Sequence, residues 1–409
     1  MIIKLFKTLL FGLQAVLAAM VGYLGLLTLA ALRAPRQTHD DWAPSRKRFI
    51  ILIPAHNEET LLPQLLTNLS ELDYARDDYA VHVIADNCTD RTAELARHAG
   101  AMVHERFHDT LKGKGYALQF ALQNIWDANT PHDAIVILDA DSIISRNFLK
   151  VMSTRLARGE RVIQAYYAVR DPDQSWGVSL RYAALAVLHY LRPQGRMVLG
   201  GSAGLKGNGM VFAAEVLRQH PWSASLTEDI EYHMNLILSG ERVTFAPDAV
   251  VWAEMPGSLR DSHTQNVRWE RGRMEMIKQY VPQLMQQSIE QRNFVLFDAA
   301  MEQLIPPFSV LAGASVASLA ASLLLSKKPQ SAFCILHPAS LHPASKFAGL
   351  TLLGQIVYLI TGLALVRAPR KVWLALVYAP VFIVWKLWLY VRVALGLDKQ
   401  GWVRTKRNS

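Results

Sequence analysis

Between Phe49 and about Trp252, short unbroken apolar runs alternate with longer stretches whose apolar positions recur every three or four residues. Phe49–Ile53, Val81–Ala85 and Ile135–Leu138 are such runs, and apolarity without alternation predicts strands buried on both faces. Thr60–Leu72, Thr89–Ala99 and Lys114–Trp126 place Leu, Ala and Phe at helical spacing between or beside them. Strand–helix–strand alternation predicts an α/β domain with a doubly wound sheet and right-handed crossovers. Ligands bind such a sheet beyond the carboxyl ends of its strands. Polar clusters stand at those places: Pro54-Ala-His-Asn-Glu58, Asp86-Asn-Cys-Thr-Asp90 and Asp139-Ala-Asp141.

The flanks follow a different pattern. Leu9–Leu32 is apolar, uncharged and long enough to cross a bilayer. Lys4 and Lys7 ahead of it, with Ala30-Ala31 near its end, would also suit a secretory signal. The run exceeds a signal core, and the basic stretch Arg33–Arg48 follows at once, so a retained anchor is expected. Asp261–Asp298 reads as amphipathic helices rich in Arg, Glu and Gln. Ile305–Leu325 and Phe347–Val366 are apolar enough to span. Val372–Leu397 is apolar too, but it carries Pro380, Lys386, Arg392 and several aromatic residues, and is expected at the membrane interface. The chain thus divides into an anchor and linker (1–48), a catalytic-type domain (49–260), amphipathic interfacial helices (261–300), membrane or interfacial helices (301–397) and a tail (398–409).

Composition agrees with that division. Half of the 409 residues are hydrophobic (51%) and the formal net charge is +9. Arg33, Arg36 and Arg46–Arg48, then Arg367, Arg370 and Lys371, then Arg404–Arg407 all lie next to apolar runs, which favours an anionic lipid surface over nucleic acid. Cys88 and Cys334 form neither a disulfide framework nor a metal set, in keeping with a reducing compartment.

Asp139 and Asp141 close a strand. Side chains two apart on extended backbone share a face, so the two carboxylates can converge on a cation and the phosphates it carries. Two surface acids would read the same way. Asp86 ends the second strand at the same edge, where an Asx turn before a helix is the competing role. Lys112-Gly-Lys-Gly115 lacks phosphate-loop spacing. Thr227-Glu-Asp229 opens a helix, and Gly200–Gly209 is a glycine-rich stretch suited to close approach of a ligand or to a long loop. Gln265, Arg268 and Trp269 fall on one helical face, a guanidinium for phosphate and an indole for a sugar ring.

In this order the pieces resemble family 2 glycosyltransferases, above all the membrane-integrated branch of cellulose, chitin and hyaluronan synthases. The resemblance spans about Phe49 to Arg273 and implies a GT-A-like mixed sheet. It implies an inverting, metal-dependent hexosyltransferase in polysaccharide biosynthesis, using a nucleotide-sugar (a UDP-sugar first among them) and Mg²⁺ or Mn²⁺. Asp139 and Asp141 would hold the metal, Asp86 and Asp139 the nucleoside end, and Asp229 would be the general base. Glu58, Lys114, Glu228, Gln265, Arg268 and Trp269 would bind substrate. Trp402, Thr405 and Arg407 resemble the element that closes over the donor. The implied partners are a saccharide or lipid-linked saccharide acceptor and membrane lipids, with room for a homo-oligomer or export partners and no nucleic acid. The implied site is an inner or plasma membrane, crossed several times, with the catalytic domain cytosolic. Transfer of one sugar to a lipid-linked acceptor, and a silent scaffold in an export complex, stay open as alternatives.

Overall fold

The computed structural model describes residues 1–35, 46–225, 227–255, 262–325 and 343–397. Its centre is one eight-stranded mixed sheet. The strands are β1 (Phe49–Ala55), β2 (Tyr79–Asp86), β3 (Met102–Arg106), β4 (Ala134–Ile137), β5 (Ser142–Ile144), β6 (Val162–Val169), β7 (Met210–Ala213) and β8 (Val243–Ala253). Their spatial order is β3-β2-β1-β4-β7-β6-β8-β5. β3, β2, β1 and β4 run parallel, as the strand–helix alternation predicts. β7 turns antiparallel against β4, so the loop entering β7 meets the carboxyl edge of the parallel strands.

The helices of this domain are α2 (Leu62–Ser70), α3 (Thr92–His98), α4 (Lys114–Asp127), α5 (Phe148–Ala157), α6 (Trp176–Ala186), α7 (Arg192–Leu199), α8 (Ala214–Gln219) and α9 (Glu228–Leu238), after an N-terminal α1 (Ile2–Leu32). They cover both faces of the sheet, which is why its central strands β1 and β4 carry no polar face. Ile51, Ile53, Val81 and Val83 pack with Leu65 and Leu69 of α2 and Phe148 and Met152 of α5. The alternate residues Ile50, Leu52, Ile135 and Ile137 pack on the other face with Leu118 and Leu122 of α4 and Tyr232 of α9.

Beyond the sheet lie α10 (His263–Glu290), α11 (Phe294–Leu304), α12 (Phe308–Leu324), α13 (Pro343–Leu365), α14 (Arg370–Ala375) and α15 (Ala379–Ala394). By length and composition, Lys4–Leu32, Pro343–Leu365 and Arg370–Ala394 could each cross a membrane. The expected span Ile305–Leu325 differs: α12 passes only together with α11, and the two are bent by 69°. Pro306-Pro307 sits at that bend, because proline cannot continue the helical hydrogen bonding and pushes its predecessor out of the helical region. The segment expected at the interface, Val372–Leu397, is long enough to cross, yet it breaks at Leu376–Tyr378 and packs against α10 and α12.

The apolar helices are joined to one another and to the sheet domain by close approaches. A Cβ on Gly354 of α13 would meet Val21 of α1 at 2.8 Å, and one on Gly195 of α7 would overlap the backbone of Leu27 in α1. Gln355 Nε2 of α13 donates to Ser315 Oγ of α12 at 2.7 Å, which satisfies the donor side of this buried amide, while its Oε1 has no hydrogen-bond partner among the described residues.

Candidate active site

The carboxyl edge of the sheet opens into a cavity of about 620 Å³. It is lined by Glu58, Asp86, Lys114, Asp139, Asp141, Glu228, Asp229, Gln265, Arg268 and Trp269. Every expected site residue that the structure describes is therefore in one place. Trp402, Thr405 and Arg407 lie outside the described residues.

Asp86 ends β2 and is buried, so its charge needs a partner. Arg106, the last residue of β3, supplies one: Nη1 donates to Asp86 Oδ1 at 2.6 Å, both side chains being under a tenth exposed. A second Arg106 nitrogen donates to the Leu111 carbonyl at 2.6 Å, fixing the fork. Asp86 does not cap α3: the N-cap position is Arg91, without a side-chain cap bond, and Asp90 closes an Asx turn just ahead of it by accepting from Thr92 N at 3.0 Å. Glu58 is buried after β1, with its backbone N–H donating to Thr92 Oγ1 at 2.8 Å.

Asp139 and Asp141 both line the cavity, but strand pleating does not put them there. β4 stops at Ile137, and Ser142 N donates to Asp139 O at 3.2 Å, closing a turn across the two acids. The turn is pinned from the glycine-rich stretch. Asn208, fully buried, accepts from Asp139 N at 3.2 Å and donates to Ser142 Oγ at 2.8 Å. Gly200–Gly209 is thus part of the scaffold, ordered against the acids. Gly207 has φ +77°, and a Cβ there would meet Asp229 Oδ2 at 3.1 Å. The left-handed backbone and the crowding both call for glycine.

Lys114 is the cation at the centre. Gly113, with φ +122°, turns the chain into α4, and Lys114 Nζ donates to Asp139 Oδ1 at 2.6 Å and to the Gly207 carbonyl. Burial opposes the ammonium charge, but Asp139, Glu228 and Asp229 hold its pKa above the usual lysine value. Gly115 lets the helix start touch the loop before α9: a Cβ would meet Ser223 O at 2.6 Å and Ala224 Cα at 2.7 Å.

Thr227 stands at the N-cap of α9 without a side-chain cap bond. Its hydroxyl is buried with no hydrogen-bond partner among the described residues. Instead the side chain packs on Gly272 of α10, where any Cβ would overlap its methyl group. The next two residues, Glu228 and Asp229, face the cavity. Burial and the neighbouring Asp229 charge push the Glu228 carboxyl up to about 7, against the pull of Lys114. Burial also raises Asp229, while Lys114 and Lys206 pull it back. A carboxyl poised nearer neutrality is a better proton acceptor than an ordinary surface acid.

On α10, Gln265, Arg268 and Trp269 share the face that meets the cavity, and Trp269 is 40% exposed at its rim. Two further cations escaped the sequence reading. Arg106 carried no signal beyond a basic residue at a strand end. Lys206 lines the cavity, and its Nζ lies 3.4 Å from Glu302 Oε1 of α11. Burial lowers the Lys206 ammonium, and Glu302 opposes that. Its place inside a glycine-rich stretch was the one available hint.

A double-carboxylate turn at a sheet edge, a buried acid at a helix start and a cavity-facing Arg–Trp helix form one arrangement. The family model described as glycosyltransferase like family 2 matches residues 46–272, more than half of the chain. The chain belongs to that family. Among curated relatives, a probable glycosyltransferase, YdaM, of Bacillus subtilis is 24% identical over 61% of this chain and 60% of its own length. A β-monoglucosyldiacylglycerol synthase of Synechocystis is 25% identical over 61% of this chain and 54% of its own. A poly-β-1,6-N-acetyl-D-glucosamine synthase of Staphylococcus aureus is 25% identical over 55% and 54%. The chain spans about half to three fifths of the length of these relatives. In fold it is similar to a mannosyltransferase of Pyrobaculum calidifontis solved with GDP-Man and Mn²⁺, with a TM-score of 0.53 and 20% identity over 87% of this chain and 98% of that one. The fold of this family 2 member is GT-A-like, as the resemblance implied.

Proposed function

We propose that this protein is a membrane-bound inverting glycosyltransferase that moves a sugar from a nucleoside-diphosphate sugar, a UDP-sugar first among them, onto an acceptor hydroxyl in polysaccharide assembly. The observation that carries this reading is one cavity whose lining brings together the Glu228–Asp229 pair, Lys114, the Asp139–Asp141 turn and Arg268. Such a transfer must neutralise charge building on the leaving diphosphate and must take a proton from the attacking hydroxyl.

Asp229 takes that proton as general base, its pKa raised by burial. Arg268 meets the diphosphate charge. Asp86, held by Arg106, receives the nucleoside end, and Gln265 and Trp269 shape the acceptor side. Attack opposite the leaving group inverts the anomeric carbon, so an α-linked donor gives a β-linked product.

The Asp139–Asp141 turn suits Mg²⁺ or Mn²⁺. Hard cations take oxygen ligands, and Mg²⁺ typically uses one or two carboxylates together with substrate phosphates and water. Among the described residues no group of three or more His, Cys, Asp and Glu could by itself hold a metal, so Asp139 and Asp141 would share a cation with ligands from outside the chain. When bound, it would supply Lewis-acid neutralisation of the leaving group. Lys114, already paired with Asp139, holds that carboxylate in place.

Nucleotide-sugars are cytosolic, which places the cavity on that side of the plasma or inner membrane. Lys371 Nζ lies 2.8 Å from Asp173, tying the stretch after α13 to the catalytic domain. In this arrangement α1, α12 and α13 enter the bilayer while α14 and α15 lie at the cytosolic interface.

A second reading, one sugar added to a lipid-linked acceptor, is favoured by one feature. Met255 on the cavity wall belongs to an apolar cluster with Leu363 of α13 and Val372 of α14, so the cavity adjoins the apolar helices.

Asp229→Asn separates chemistry from binding. Transfer should fall by about 10³-fold or more, as for loss of a general base, while UDP affinity stays near that of the parent. Retained turnover would remove Asp229 as the base.

A further inference from the structure

α15 and the residues flanking it are apolar along one face: Val377 just before the helix, Val381, Val384, Trp388 and Val391 within it, and Leu395 just after it are exposed at alternating steps of four and three residues. Lys386 lies off that face, and it is 5% exposed. An ammonium on so apolar a helix is costly unless a partner is built for it. Here the partners are on α10. Lys386 Nζ lies 2.9 Å from Glu270 Oε1 and donates to Asn266 Oδ1 at 2.6 Å. Glu270 and Asn266 are themselves 4% and 8% exposed.

The placement on α10 matters. Asn266 and Glu270 are four residues apart, on one face of the helix. Gln265, Arg268 and Trp269 occupy a neighbouring face that meets the cavity. Whatever fixes Asn266 and Glu270 therefore fixes the rotation of α10 and the aim of Arg268 and Trp269. α15 is itself held from the other side. A Cβ on Gly313 of α12 would meet Leu387 at 2.5 Å and Ile383 at 3.0 Å, so the two helices touch backbone to side chain. Arg273, 4.0 Å from Glu270, donates to Gln303 O at 2.8 Å and so ties the same turn of α10 to the end of α11.

We propose that Lys386 is a positioning residue for sugar transfer: from an apolar membrane-side helix it clamps Asn266 and Glu270, and so sets the register at which α10 presents Arg268 and Trp269 to the donor and acceptor. Lys386 is not among the residues that line the cavity, so its effect on transfer runs through α10. The inference rests on the cavity being the transfer site, and its test contains one arm that does not depend on transfer.

The test uses the full chain in nanodiscs of phosphatidylethanolamine and phosphatidylglycerol. Hydrogen exchange of the amides of residues 263–272 should run about tenfold faster in Lys386→Met, since local opening follows the lost contact, while exchange in α4 stays at the parent rate. The rate of transfer at saturating donor should fall about tenfold through misplacement of groups on α10. Lys386→Arg keeps the charge and should match the parent in both readouts. Adding Glu270→Gln to Lys386→Met should recover much of the loss, because the buried carboxylate no longer lacks its cation. If Lys386→Met cannot be recovered from membranes, Glu270→Gln alone is read in the same way. Parent-like exchange over residues 263–272 in the variant overturns the proposal, and so does a Lys386→Arg protein as defective as Lys386→Met. Were the chain to transfer no sugar at all, the exchange arm would still decide whether Lys386 holds α10.

Discussion

Gly272 lies in the interior of α10, where helix propensity alone favours alanine by about 1 kcal/mol. Replacing it should nevertheless harm the enzyme. A Cβ at this position would overlap Thr227 Cγ2 and approach Thr227 Oγ1 at 2.9 Å and Cβ at 3.1 Å. Thr227 is 5% exposed and begins the Thr227-Glu228-Asp229 turn, so it has little space into which to retreat. Overpacking of a tight site costs about 1–3 kcal/mol. Set against the propensity gain, the net loss of stability in Gly272→Ala should be about 0–2 kcal/mol. Activity should suffer more, because Asp229 is two residues from the displaced threonine, and a shift near 1 Å at a catalytic group can cost about 10²-fold. The assay pairs thermal unfolding in detergent with turnover of labelled donor. The expected result is a small change in melting temperature with about a 100-fold drop in kcat. Thr227→Ser removes the overlapping methyl and should restore much of the rate in the double variant. A Gly272→Ala protein with parent kcat, or a double variant no better than the single, would refute the packing argument.

Two further outcomes follow from the same site. Because the buried Glu228–Asp229 pair shares its titration and Glu228 is pushed up to about 7, kcat/KM should rise with pH along a limb that reaches neutrality, and Glu228→Gln should remove the Glu228 step and leave only the limb of the base Asp229. The stability linked to this raised carboxyl is full below its ordinary value and lost as pH rises through about 7, so Glu228→Gln should flatten the fall in melting temperature over that window. Exhaustive chelation should stop transfer, Mn²⁺ or Mg²⁺ should restore it, and Asp141→Ala should raise the metal concentration needed; full activity under chelation would take the cation out of the mechanism.

The strands were legible because helices cover both faces of the sheet, which leaves Phe49–Ile53 and Ile135–Leu138 without polar positions. The candidate acids were legible for a related reason: Asp86 and Asp139 sit where the apolar runs stop, and the topology makes those places one edge. What the residues cannot announce is pairing across strands. Arg106 meets Asp86 only because β3 lies beside β2, and Lys206 meets Glu302 only because α11 folds back over the glycine-rich stretch. The turn at Asp139–Ser142 was misread as extended, since the hydrogen bonds of Asn208, remote in sequence, close it. Pro306-Pro307 did carry the bend between α11 and α12, but hydropathy over a long window averages across two residues. Lys386 looked like an interfacial charge; its burial against Glu270 needs the third dimension.

The most direct measurement of the central claim is incorporation of label from a panel of radiolabelled nucleotide-sugars by membranes containing the protein, with the products extracted and sized. The account predicts that at least one donor labels a saccharide or lipid-linked product in the parent, with release of the nucleoside diphosphate, and that Asp229→Asn binds that donor without forming product. Absence of incorporation from every donor by a folded, UDP-binding protein, or equal incorporation by Asp229→Asn, would contradict it.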